Sequence, residues 1–310
     1  IAIVGGGYIG LEAAAEAAKK GLDVTVIEAA DRILKRVACQ ETADAFRALH
    51  RPGDPFILAN AWDIGSARLL AALGAQALAT SSSAFAFTLG VPDGGITRDQ
   101  ALAHAQDIVA ATPLPVSGDF EDGFGADPDT VAETVRLAAE VGLAGISIED
   151  NPAPPAAPYD RTLATERIRA AAAAARSLPR DFVLVARADG LLNGHYGMEE
   201  AMARLAAFDA AGADCLYAPI PPSFDDLAKI CAMTEKPVNA LVAGPFASYT
   251  REDFARIGAA RLSLGGGLAR AAQRRVIDAF SEMIEDGSFA MLKKTVSGAK
   301  VDDMLRQFMG

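Results

Sequence analysis

A parallel α/β architecture, a closed (β/α)₈ TIM barrel, is the fold this sequence predicts, on three observations. Eight short apolar runs recur over residues 56–266, amphipathic helical stretches lie between them, and acidic residues gather at the C-terminal ends of the runs. Near-continuous apolar strands alternating with helices make a parallel sheet that is covered on its outer face. Eight such units in the 265 residues from 46 to 310 fit a barrel of typical size, ~250 residues. An open doubly wound sheet does not need eight evenly spaced units.

The chain begins differently. Ile1-Ala2-Ile3-Val4 is a buried parallel-strand run, Gly5-Gly6-Gly7-Tyr8-Ile9-Gly10 supplies a GxGxxG turn, and an alanine-rich helix follows to about Lys20. Residues 23–28 form a second strand ending in Glu28. In a dinucleotide fold Gly5 makes the turn and Gly7 lets backbone approach a pyrophosphate. Gly10 lets the helix pack close to the strand, and Glu28 takes a ribose hydroxyl. The wording GGGYIGLEAA and VTVIEAADRIL resembles the nicotinamide-binding segment of flavoprotein reductases of the ferredoxin-reductase type. That resemblance stops near residues 45–51, no later strand of such a domain follows, and a two-strand sheet cannot cover both its faces. Residues 1–45 therefore read as a partial dinucleotide-binding βαβ fragment, Rossmann-like but incomplete, and NAD(P) is not expected to bind. Opening at Ile1, inside a strand-like run and without a Met, the sequence reads as an excerpt or truncated product.

Residues 46–310 read as the barrel. Its strands are predicted at 56–61, 77–82, 114–120, 145–150, 182–189, 215–220, 237–242 and 261–266. Amphipathic helices are predicted at 64–73, 98–111, 128–141, 161–177 and 198–211.

Composition excludes some classes of partner. A net charge of −11, from 29 basic and 40 acidic residues, argues against nucleic acid and against an anionic membrane surface. No apolar run is long enough to span a bilayer, and no signal-peptide pattern is present. Three sparse cysteines, Cys39, Cys215 and Cys231, suit neither a disulfide framework nor a zinc site and point to a reducing, cytoplasmic location.

Active sites of such barrels lie at the C-terminal ends of the strands. Asp63 follows the first barrel strand and Asp93 lies in the loop after the second; the third ends Asp119-Phe120-Glu121-Asp122, the fourth Glu149-Asp150, and the fifth Arg187-Ala188-Asp189. Strand residues two apart share a face, so Asp119 and Glu121 are expected to point inward and Phe120 outward. By the same alternation, only one of Glu149 and Asp150 faces the mouth. Converging carboxylates without a His or Cys cluster suit Mg²⁺ or Mn²⁺. Asp119, Glu121 and Glu149 are the expected metal set, whereas Asp122, Asp150 and Asp189 are expected to cap helices or pair with surface bases. Asn239 on the seventh strand is placed to reach substrate. His195 is either an acid or base at the mouth or an idle loop residue. Gly265-Gly266-Gly267 is either an anion nest or a plain turn.

Six segments, PFILANAWDIGSARLL, ALATSSSAFAFTLGVPDGG, PVSGDFEDGFG, GISIED, FVLVARAD and RLSLGGGLARAA, together resemble the isocitrate lyase/phosphoenolpyruvate mutase superfamily, in order, from residue 46 to about 290. The resemblance implies Asp119 as direct Mg²⁺ ligand, with Glu121, Glu149 and Asp93 holding its waters. It implies Thr80, Ser81 and Ser82 as binders of a substrate carboxylate, and Arg187 as the contact to the oxyanion of a 2-oxo acid. The implied chemistry is Mg²⁺-dependent C–C or C–P bond cleavage through a pyruvate-type enolate, in dimers or tetramers that exchange a C-terminal helix.

Two segments depart from the lyases of that superfamily. Where they carry a thiol-bearing Lys-Arg-Cys-Gly loop after the fourth strand, this chain has NPAPPAAPY, and where they place a Glu after the sixth strand it has Pro219. The expected activity is therefore a carbon–carbon lyase or decarboxylase on a small 2-oxo or 2-hydroxy dicarboxylate, such as oxaloacetate-type decarboxylation or cleavage of another substituted malate. The alternatives are phosphonopyruvate-type C–P chemistry and a non-enzymatic, reductase-derived NAD(P)-binding fusion.

Overall fold

The computed structural model describes residues 2–4, 17–27, 40–153 and 156–308. Strands β1 (Ala2–Val4) and β2 (Thr25–Ile27) pair in parallel, Ala2 opposite Thr25, as a two-stranded sheet of their own. The fingerprint residues Gly5, Gly7, Gly10 and Glu28 lie outside the described residues.

Helix α1 (Gln40–Leu49) spans the expected boundary at residue 45. Its buried side chains, Ala43 and Phe46, lie on one face, at the i, i+3 spacing of a helix. Phe46 inserts among Phe56, Leu58, Val183 and Val185, residues of the barrel interior. Ala43, before that boundary, is buried on the same face.

Eight strands close in sequence order: β3 (Phe56–Asn60), β4 (Ala77–Ala79), β5 (Val116–Asp119), β6 (Gly145–Glu149), β7 (Val183–Arg187), β8 (Cys215–Tyr217), β9 (Val238–Leu241) and β10 (Arg261–Ser263). Closure is made by β10 on β3, with Arg261 opposite Phe56. Every strand expected from the apolar runs is present, shortened at its ends. The five expected helices appear as α2 (Ile64–Ala72), α4 (Arg98–Ala111), α5 (Pro128–Glu140), α6 (Arg161–Arg176) and α7 (Met198–Ala211). Between the first two lies the short α3 (Ser82–Thr88), and beyond α7 come α8 (Phe224–Ala232), α9 (Arg251–Arg256), α10 (Gly267–Asp286) and α11 (Gly298–Arg306). No described helix is long and apolar enough to cross a membrane.

Period-2 alternation divides the core and aims the site. On β7, Leu184 and Ala186 pack outward under the helices, while Val183 and Val185 face the barrel interior with Cys215 and Tyr217. Arg187 shares the inward parity and ends the strand, so its guanidinium stands at the mouth.

Candidate functional site

A cavity of about 200 Å³ opens at the C-terminal ends of the strands, where barrels of this kind place their chemistry. Asp93, Asp119, Glu121, Glu149 and Arg187 all line it, as do Ser81 and Ser82. Thr80 and Asn239 do not.

Arg187 is the hub. Its Nη1 donates to Asp119 Oδ1 at 3.0 Å and pairs with Glu149 Oε1 at 2.7 Å, and its Nη2 donates to Asp189 Oδ1 at 2.6 Å. Its guanidinium carbon sits 4.9 Å from the centre of the Tyr217 ring, a cation–π contact. Asp119 is held from the other side, where Oδ2 accepts the Ser82 N–H and Oγ–H, both at 3.0 Å.

Glu121 reaches the cavity by a route that alternation does not describe. The strand stops at Asp119, Phe120 is fully buried under the helices, and Glu121 turns with φ 49°, in the left-handed region. For a residue with a Cβ that conformation costs of the order of 1–3 kcal/mol, and such strain collects at functional sites. Its Oε1 is buried without a hydrogen-bond partner.

Five carboxylates, Asp93, Asp119, Glu121, Glu149 and Asp189, thus share the cavity with one guanidinium. Burial, followed by the fields of Asp119, Asp93 and Asp122, pushes the Glu121 pKa up to about 8. Burial likewise raises Glu149 well above the usual carboxylate range; Arg187 opposes this, while Asp189, Asp119 and Glu121 reinforce it. A cluster so short of positive charge, built from oxygen donors alone, fits a hard divalent cation. Among the described residues, however, no three His, Cys, Asp or Glu side chains converge as an ion would need. Arg187, in contact with both Asp119 and Glu149, stands between them.

Several expected roles resolve differently. Thr80 follows the outward parity of Leu78, and its Oγ1 accepts the backbone N–H of Asp119 at 2.8 Å, so it holds the strand end in place. Ser81 lines the cavity, caps α3 and shares a hydrogen bond with Ser83, a cavity residue the sequence reading missed. Asn239 lies inside the barrel, engaged by Arg261 at 2.8 Å and by Ser263 at 2.9 Å. Asp93 is exposed at the rim and accepts the Gly94 N–H.

Asp189 was expected to cap a helix but lines the cavity and grips Arg187. Asp63 caps α2, with Oδ1 accepting the Ser66 N–H. Asp122 and Asp150 turn away from the cavity, onto Tyr159 and Tyr196 respectively. His195 is exposed on its loop and does not line the cavity, whereas Gly265 and Gly266 do. Burial pushes the thiols of Cys215 and Cys231 up to about 11 and about 12, as suits packing residues.

Tyr217 and Asp189, like Ser83, belong to the site without having been assigned to it from the sequence. Inward parity was a signal for two of them, since Tyr217 ends a strand with it and Asp189 lies two residues beyond Arg187.

The profile of the phosphoenolpyruvate phosphomutase family matches residues 46–284, and that of the pyridine nucleotide-disulphide oxidoreductases matches residues 1–52. The two overlap over residues 46–52, at the end of α1. An uncharacterised protein of Mycobacterium tuberculosis is 36% identical over 225 residues, 71% of this chain and 81% of its own length. The 2-methylisocitrate lyase of Salmonella typhimurium is 36% identical over 182 residues, 56% of this chain and 60% of that enzyme. Among solved structures, a Burkholderia cenocepacia protein described as a lyase/mutase superposes with a TM-score of 0.81 at 46% identity, covering 85% of this chain and 95% of that one.

Proposed function

The chain belongs to the phosphoenolpyruvate phosphomutase family, in the isocitrate lyase/phosphoenolpyruvate mutase superfamily, and from that premise we propose that it is a Mg²⁺-dependent carbon–carbon lyase or decarboxylase. Its substrate in this reading is a small 2-oxo or 2-hydroxy dicarboxylate, cleaved through an enolate of pyruvate type. The observation that carries the proposal is one guanidinium, Arg187, set among Asp119, Glu149 and Asp189 in a small cavity at the barrel mouth.

Asp119, Glu121 and Glu149 would hold the ion, with Asp93 at the rim. When bound, the ion supplies Lewis-acid stabilisation of negative charge at the 2-oxo acid end of the substrate. With an ion bound, Arg187 would keep Nη2 on Asp189 and would offer Nη1 to the substrate oxygen on which charge grows as the bond breaks. A planar, permanently charged donor pair suits that oxygen, and its value is greatest where charge develops. The Ser81 and Ser83 hydroxyls would receive the substrate carboxylate, and Ser82 keeps Asp119 in place.

Residues 151–159 contain neither Cys nor Lys, so this loop offers no thiol to protonate a leaving carbanion. That favours decarboxylation of an oxaloacetate-type acid, or cleavage of a substituted malate other than isocitrate or methylisocitrate. C–P chemistry on phosphonopyruvate is the second reading, because the same charge distribution would serve it.

Two further features belong to the proposal. The barrel unit is taken to begin with α1, the segment before it being an accessory fragment. The working form is taken to be a homo-oligomer, because α10 leaves an apolar face uncovered.

The test supplies oxaloacetate, substituted malates and phosphonopyruvate, with and without Mg²⁺. Pyruvate from a carbon substrate supports the lyase reading. Release of phosphate from phosphonopyruvate alone supports the second, and no product from any of them contradicts both.

A further inference from the structure

Behind the cavity, a buried group of polar side chains grips the turn that follows β7. Asp150 is 1% exposed and lies outside the cavity lining. Its Oδ1 accepts the backbone N–H groups of Asp189 at 2.7 Å and Gly190 at 3.3 Å. Its Oδ2 accepts the Tyr196 hydroxyl at 2.5 Å and Arg204 Nη1 at 3.1 Å. The Tyr196 oxygen in turn accepts the Gly190 N–H at 3.1 Å. Packing is equally close, since a Cβ added at Gly190 would lie 2.2 Å from the Tyr196 ring. Arg204 also donates to the Tyr159 carbonyl at 2.9 Å, which ties the end of the 151–159 loop into the same group.

The consequence for the site runs through Asp189. The gripped turn sets its backbone, its Oδ2 takes Asn193 Nδ2 at 3.2 Å, and its Oδ1 holds Arg187 Nη2 at 2.6 Å. Hydrogen bonds from backbone N–H to a buried carboxylate are short and strong, and a fully satisfied buried network is rigid. Arg187 otherwise pairs with Asp119 and Glu149, the carboxylates that would hold an ion, and packs on the Tyr217 ring. Asp189 is the carboxylate partner that lies outside that metal set.

We propose that Asp150, Tyr196 and Arg204 are a positioning unit for Arg187, acting by fixing the Asp189–Gly190 turn, and that substrate affinity at saturating metal depends on it. This rests on the enolate-lyase reading of the site.

The test measures Mg²⁺ binding, and oxalate binding at saturating Mg²⁺, by calorimetry on the full chain. Oxalate is the probe because it is a planar dianion with the oxygen arrangement of pyruvate enolate. Tyr196→Phe removes only a hydroxyl, and Gly190→Ala forces the ring off the turn from the other side. Both variants should weaken oxalate binding at saturating Mg²⁺ about tenfold or more, the scale of a misplaced positioning contact, with thermal stability unchanged. The inference is overturned if oxalate affinity is unchanged in both variants. It is equally overturned if Mg²⁺ and oxalate affinity fall together with thermal stability, which marks a merely structural role. A wild-type protein that binds no oxalate in the presence of Mg²⁺ overturns the lyase reading, and this inference with it.

Discussion

Arg187 Nη1 lies 3.0 Å from Asp119 Oδ1, so the arginine expected to meet substrate and the carboxylate expected to anchor a metal are in direct contact. A lysine at 187 would keep the charge but not the fork that spans Asp119 and Asp189 at once. Arg187→Lys should lower kcat by roughly 100-fold or more, the scale for losing one oriented donor to developing charge, with a smaller rise in KM. Steady-state kinetics on the substrate found in the product survey checks this. A near-normal kcat would make Arg187 a structural ion pair.

His50 gives a prediction about stability and pH. It is buried edge-on between Phe46 and Phe56, and burial, followed by the charge of Arg261, pushes its pKa down to about 3. The unfolded chain takes up that proton near pH 6.5 and the folded chain refuses it, so stability is lost as pH falls from about 6.5 towards 3. The loss should reach roughly 3 kcal/mol by pH 4. Urea unfolding at pH 7 and pH 4 should show that His50→Gln, which has no proton to gain, loses that much less than wild type. Equal losses in the two proteins would remove His50 as the cause.

Self-association follows from α10. Of its 20 residues, Ala269 is the buried one, while Val276, Ile277, Phe280 and Ile284 are 61–72% exposed. Those four lie at the i, i+1, i+4, i+8 spacing of one helix face. Apolar stripes of this kind on a folded chain mark contact surfaces. Sedimentation should find dimers or larger assemblies at micromolar concentration, and Phe280→Asp with Ile284→Asp should yield monomers. A wild-type monomer would contradict this.

Residues 1–39 should be dispensable for the chemistry. Their described residues contribute none to the cavity lining, whereas α1 beyond them plugs the barrel with Phe46. Deletion up to residue 39 should leave Mg²⁺ binding and turnover unchanged, while deletion through residue 45 cuts α1 and removes Ala43. Fluorescence titration of the full chain with NADH should give weak binding or none. Micromolar binding abolished by Gly7→Ala would restore a working nucleotide site.

How far the site was legible follows from the period of a strand. Apolar runs located all eight barrel strands, inward parity pointed to Asp119 and Glu121, and the family resemblance implied Arg187. What parity does not give is the route past a strand end: Glu121 arrives by a left-handed turn, and Asp189 by a turn held from Asp150. Thr80 and Asn239 were misplaced for a related reason. Both are polar residues near strand ends, but each is claimed by a neighbouring strand, the backbone of Asp119 in one case and Arg261 in the other. Partners of that kind depend on register between strands distant in sequence. Composition marks the change of pattern near residue 45, and α1 runs across that point.

In the proposed reaction Asp119 holds a divalent ion on which the chemistry depends. The most direct test is pyruvate release from oxaloacetate and substituted malates, followed against Mg²⁺ concentration for wild type and Asp119→Ala, above the rate without protein. Wild type should show saturable, Mg²⁺-dependent release. Asp119→Ala should show none, yet stay folded with a stability change of only ~1 kcal/mol, as for most single substitutions. Pyruvate release that ignores Mg²⁺, or that survives in Asp119→Ala, would contradict the account.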